Sequence, residues 1–138
     1  METPNRPSHE VRMKVAFYDL DPLQIVWHGN YLKYFEVARG ELFDHLGVDL
    51  FAYHDKTGTI FPIIRTAVKH VHPLKQGDEF LCRATVKEAR AKIVVAFEVR
   101  LLDGRLCARG TTEQVAVRAP SMEMAFSIPE EISRALGG

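Results

Sequence analysis

Apolar and polar residues follow two different periods along this chain. Residues 11–17 alternate apolar with basic side chains, the period-two pattern of a half-buried strand. Tyr31, Tyr34, Phe35, Ala38, Leu42 and Leu46 then recur at helical spacing, with Lys33, Glu36, Glu41 and Asp44 on the opposite side. Asn30 is placed to cap the start of this helix and Gly47 its end, which predicts one helix of about 16 residues. Residues 48–60 show no period and read as irregular, with a turn at Gly58. From Ile60 the chain turns strand-like. Strands are expected at 60–72, 80–87, 93–101 and 106–118, with turns at Gln76-Gly77-Asp78, Ala89-Arg90-Ala91 and Asp103-Gly104. A short helix from Ile128 to Leu136, entered through Pro129, closes the chain. Strands joined by such short turns must be antiparallel neighbours. A single long, aromatic-rich helix against that sheet defines an α+β domain.

Length and composition narrow the classes. With 138 residues, 46% hydrophobic and 26% charged, the chain suits one soluble domain. We place that domain at 10–138, behind a disordered arm at 1–9. The longest apolar runs are about five residues, as in Ile93-Val94-Val95-Ala96-Phe97, whereas a membrane helix needs about 20. Residues 1–7 lack the apolar stretch of a secretory signal. Cys82 and Cys107 form neither a metal-binding spacing nor a disulfide framework, and a reducing cytoplasmic setting is expected. Eighteen basic residues balance 18 acidic ones, which argues against nucleic acid as the main partner. The balance is not uniform. Residues 36–55 carry five acids and one base, and residues 82–109 carry seven bases and three acids.

The unusual residues concentrate just before the long helix, from Tyr18 to Tyr31. Asp21 sits in a loop among Leu20, Leu23, Ile25, Val26 and Trp27, where partial desolvation would raise its basicity. His28 adds a titratable group. The helix start behind it offers free backbone N–H groups and a positive dipole end, suited to an oxyanion. A carboxylate, a His and a helix N-terminus together fit acyl transfer or hydrolysis. The competing reading makes Asp19 and Asp21 turn residues and His28 a local hydrogen-bonder.

The segments Asp19-Leu20-Asp21, Ile25-Val26-Trp27-His28-Gly29-Asn30-Tyr31 and Phe35-Glu36-Val37-Ala38-Arg39 resemble the signature of the 4-hydroxybenzoyl-CoA thioesterase family of hotdog-fold proteins. The resemblance implies hydrolysis of acyl-CoA thioesters without metal or cofactor. It implies that Asp21 is the essential carboxylate, acting as nucleophile or general base. It places the thioester carbonyl against backbone N–H groups at His28 and Gly29. The branch carrying a His there, similar to the thioesterase associated with the Tol-Pal system, also uses the His, here His28. It further implies that two protomers join edge to edge, that pairs assemble into tetramers, and that the site lies between protomers. Two departures bear on substrate choice. Leu23-Gln24 stands where many members have a Gly, and Phe17 stands where the His-containing branch often has a Tyr.

Further candidates follow from residue type. Trp27 and Tyr31 are candidates to line the acyl pocket. Glu36 is placed either to orient the site or to pair with Arg39 three residues on. Lys69, Arg90 and Lys92, with Arg83 and Lys87, are candidates for the CoA phosphates or for the solvated side of two-faced strands. His70 and His72 would face one side of a strand, as half a metal site or as surface packing; no third ligand matches them. The alternatives to an acyl-CoA thioesterase are a carrier-protein thioesterase and a non-catalytic acyl-CoA binding module. A hotdog dehydratase would need a differently placed catalytic pair.

Overall fold

A computed structural model describes residues 6–138. Five strands form one antiparallel sheet, ordered β1 (Ser8–Lys14), β4 (Glu79–Glu88), β5 (Ile93–Leu101), β6 (Leu106–Gln114) and β3 (Ile63–His70). The helix α1 (Asn30–His45) packs on one face of it. A shorter helix, α2 (Leu50–Thr57), leads into a small second sheet of β2 (Thr59–Ile60), β7 (Val117–Arg118) and β8 (Glu123–Met124). The terminal helix α3 spans Glu130–Ala135. This is the helix-on-curved-sheet arrangement expected of a hotdog domain.

The core follows from the strand alternation. In β4 and β5 every second residue is buried, so Phe80, Cys82, Ala84, Ile93, Val95, Phe97 and Val99 form one apolar face. Helix α1 covers it with Tyr34, Phe35, Ala38 and Leu42. The ring of Phe35 stacks on that of Phe97 at 4.4 Å between centroids and 6° between planes. Gly110 lies opposite Phe97 on the neighbouring strand, and a Cβ there would meet the Phe35 ring and the Ala67 carbonyl. The missing side chain therefore lets the helix seat closely on the sheet.

Several boundaries differ from expectation. β1 begins at Ser8, so Ser8 and His9 belong to the sheet and not to an arm; residues 1–5 lie outside the described residues. Residues 50–57 are helical, because Asp49 accepts a hydrogen bond from the Ala52 N–H at 2.9 Å and Gly58 ends the helix with φ +78°. The final strand stops at Gln114 and resumes as β7 in the other sheet. Asn30 is the first helical residue, and Gly29 holds the cap position. Asp103-Gly104 forms the expected hairpin turn, with Asp103 Oδ1 accepting from the Arg105 N–H at 2.9 Å.

Two features position the site. β3 pairs only with β6, so its other edge is open, and all but one of its residues are exposed. The sheet also has two distinct ends. His70 lies opposite Ala108, while Ile63 and Ile93 lie opposite Gln114, six residues and about 20 Å away along β6.

Replacing Gly110 with Val should destabilise the protein by about 1–3 kcal/mol, since the added methyls meet Phe35 and the β3 backbone. Urea unfolding of G110V checks this, and an unchanged midpoint would show that the helix is not seated on this glycine.

Candidate active site

The loop before α1 is organised by Asp19. This residue ends a single 3-10 turn (Phe17–Asp19) and is only 7% exposed. Its Oδ2 accepts hydrogen bonds from the Tyr34 hydroxyl at 2.8 Å and the Ala16 N–H at 3.3 Å. Its carbonyl oxygen accepts from the Trp27 N–H at 2.9 Å and from Asn30 Nδ2 at 2.8 Å. One residue thus ties the end of β1 to both the far side of the loop and the first turns of α1. Burial, and then the hydrogen bond to Asp19, push the Tyr34 phenol far above its ordinary pKa. Tyr34 therefore stays a donor to Asp19.

Between these anchors the chain makes a tight excursion. Leu20 bridges to Val26, the Asp21 N–H donates to the Ile25 carbonyl at 2.9 Å, and the Gln24 N–H donates to the Asp21 carbonyl at 2.9 Å. The Leu23 N–H donates to Asp21 Oδ1 at 2.8 Å, leaving Oδ2 free of protein partners among the described residues. Gln24 takes φ +65°, a left-handed conformation that glycine adopts without cost. This is the segment in which many members of the resembled family have a glycine. The Val26 N–H donates to the Leu74 carbonyl at 2.9 Å, and Ile25 bridges to Lys75, so the excursion rests on the β3–β4 connection.

The apolar enclosure expected around Asp21 is not what forms. Leu23 is 76% exposed and Trp27 49%, and Asp21 is only partly buried. The buried carboxylate of the loop is Asp19, because the tight turn directs Asp21 outward into a cleft. That cleft has a volume of about 380 Å³ and is lined by Asp21, His28, Tyr31, His70 and His72 among others. Asp21 and His28, seven residues apart in sequence, share this one space.

The rings around the cleft are in mutual contact. His28 lies 5.1 Å from Trp27 and 6.4 Å from His70 between centroids, and His70 meets Tyr31 edge-on at 4.9 Å. His70 stays partly open to solvent, and the partial desolvation it meets in the cleft, then the proximity of His28, lower its pKa. Burial raises that of Tyr31. Among the described residues, the backbone N–H groups of His28 and Gly29 donate to no protein acceptor. They sit at the positive end of the 16-residue α1. The Trp27 indole lies against Gly29 so closely that a Cβ would collide with it, which explains the glycine.

The remaining candidates lie elsewhere in the chain. Glu36 is exposed, pairs with Arg39, and borders a second, largely apolar cavity of about 840 Å³ between α1, α2 and the start of β3. Lys69 precedes His70 on β3 and so faces the outside of the sheet, beside Glu98 and Arg109. Lys92 is held by Glu113 at 2.6 Å, and that ammonium lowers the Glu113 pKa. Arg90 borders a depression with Arg6 and Gly138. Arg90 and Lys92 stand at the far end of the sheet, so one chain does not gather them with Asp21 and His28. His70 and His72, read from sequence as packing or half a metal site, line the cleft instead. Among the described residues no group of three or more His, Cys, Asp or Glu side chains is placed to hold a metal ion.

Fold and cleft together define a hotdog domain with a carboxylate and an imidazole beside a helix N-terminus. The family model of the thioesterase-like superfamily matches residues 15–136, and the chain belongs to that superfamily. It is similar to the putative acyl-CoA thioesterase YneP of Bacillus subtilis, with 25% identity over 112 residues, covering 80% of each chain. It is also similar to the acyl-CoA thioesterase YbgC of Helicobacter pylori, with 32% identity over 88 residues, covering 64% of this chain and 63% of that one. Among solved structures, a variant of 4-hydroxybenzoyl-CoA thioesterase complexed with 4-hydroxybenzoyl-CoA superposes with a TM-score of 0.83 at 20% identity, covering 94% of this chain and 99% of that one.

Two substitutions test the loop. Tyr34→Phe removes a donor from a buried carboxylate and should cost about 1–3 kcal/mol in chemical denaturation. Gln24→Gly relieves a left-handed residue, worth about 1–2 kcal/mol, against the entropy of a glycine, about 0.5–1 kcal/mol. A small rise in thermal midpoint is expected, and a fall would show that the Gln24 side chain holds the turn.

Proposed function

We propose that this protein hydrolyses acyl-CoA thioesters. The observation that carries this reading is the convergence of Asp21 and His28 on one cleft, beside two uncommitted amides just ahead of α1. Membership of the thioesterase-like superfamily and the names of its relatives support it. Asp21 Oδ2 takes a proton from water, whose oxygen bonds to the thioester carbonyl carbon. The amides of His28 and Gly29 hold the developing oxyanion, and the His28 side chain assists from the same cleft. The C–S bond then breaks, releasing the acid and the CoA thiolate. No metal or redox cofactor enters this scheme.

The site is completed by a second copy of the chain. Two β3 edges pairing antiparallel around a dyad would extend the sheet and bring the His70 end of one strand to the Ile63 end of the other. The cleft of one protomer would then open towards the second protomer's apolar cavity, which borders Ile63 and Phe61. That cavity is the acyl-binding candidate, with Glu36 at its edge and Trp27 and Tyr31 on the cleft side. Lys69, Arg90 and Lys92 remain the candidates for the CoA phosphates, approached across protomers. Dimers, singly or paired into tetramers, are the working form. No helix among the described residues is long and apolar enough to cross a membrane, and the free thiols of Cys82 and Cys107 suit the cytoplasm. Burial pushes the Cys82 thiol up to about 12, so it is no nucleophile.

A panel of acyl-CoA and acyl-carrier-protein thioesters tests the reading. Asp21→Asn should lower kcat by roughly 10²–10⁴-fold and leave the fold intact, and full activity in D21N would overturn the mechanism. Binding of acyl-CoA by wild type without any turnover would favour a binding module. Thr66→Pro removes an N–H that faces the open edge, since its neighbour Ala67 is the residue bonded to β6, and should give monomers by light scattering and abolish turnover.

A further inference from the structure

His70 is a cleft residue that the proposed reaction does not yet use. It ends β3, and the residues before it alternate so that Val68 and His70 face α1 while Lys69 faces away. Its ring is fixed on one side by the edge-on contact with Tyr31 at 4.9 Å. It also lies beside His28, with ring centroids 6.4 Å apart and planes at 78°. That separation is too great for a direct bond between the imidazoles. Allowing roughly 1.1 Å from centroid to ring atom, the nearest atoms of the two rings are about 4–5 Å apart, within the span of two hydrogen bonds meeting at one oxygen. Asp21 borders the same cleft.

We propose that His70 is a third catalytic residue of this centre: with His28 it holds the attacking water in the gap between the two rings, presenting it to Asp21. This rests on the thioesterase reading above and adds a residue to it. The water gives one proton to Asp21 Oδ2 as its oxygen bonds to the carbonyl carbon. A ring nitrogen of neutral His70 accepts a hydrogen bond from the second O–H and takes no proton. Partial desolvation, and then His28, lower the His70 pKa, and Tyr31 beside it stays protonated; His72 borders the same cleft. Asp21 is the carboxylate in the group, and in the reaction it receives the proton.

The test compares wild type, His70→Phe and His70→Gln as purified oligomers, with D21N as reference. Phe preserves the ring packed against Tyr31 and deletes the nitrogens, while Gln restores an acceptor. In H70F, kcat should fall roughly 10–100-fold with KM within twofold of wild type and an unchanged thermal midpoint. H70Q should recover part of that loss. A kcat for H70F within twofold of wild type would overturn the role of His70 while leaving Asp21 untouched. A loss that appears as raised KM, or that H70Q does not recover at all, would make His70 a packing residue and overturn the proposal. If wild type turns over no thioester, the thioesterase reading falls, and this role falls with it.

Discussion

The buried carboxylate of Asp19 holds the reactive loop in its working shape. A charged group this deeply enclosed is tolerable only when its oxygens are satisfied. The Tyr34 hydroxyl and the Ala16 amide both donate to Oδ2, so the helix and the end of β1 cannot separate without stranding the buried carboxyl group. The same residue's carbonyl collects Trp27 and Asn30. Asp21, two residues on, and His28, one residue past Trp27, have their positions set by this hub. The two aspartates therefore divide the work. The buried one builds the turn, and the partly exposed one faces the cleft.

Much of this was legible in the chain. The strand alternations and the helical repeat from Tyr31 to Leu46 gave the layers and their faces, because burial on one side is what those periods encode. The pair Asp21 and His28 could be read from residue type and from the helix behind it. What escaped was decided by tertiary context. The apolar neighbours of Asp21 implied enclosure, but the tight turn splays Leu23 and Trp27 into solvent. Asp19 looked like an ordinary turn residue, since its partner Tyr34 sits 15 positions later in a pattern that reads as core. From sequence, His70 reads with His72 only as packing or half a metal site. Its meaning depends on which residues face the end of β3, and no periodicity reports that. Residues 50–57 hid a helix because its capping pair, Asp49 and Gly58, lacked an apolar stripe between them.

Cleft and apolar cavity stand at opposite ends of β3 within one chain. On the proposed reading they are two half-sites joined only across protomers. Acyl selectivity would then follow residues near Phe61 and Val48, and reactivity those near Ile25 and Tyr31. The exposed strand that separates them is where the two functions would be joined.

The indole over Gly29 has a practical consequence. Trp27 is the sole tryptophan of the chain, half exposed and 5.1 Å from an imidazole at the mouth of the cleft. Its ultraviolet emission therefore carries no background from the core. A ligand that enters the cleft beside the ring would change the polarity around it. The molecule thus holds an intrinsic optical probe beside the cleft, able to follow ligand arrival in the unlabelled protein.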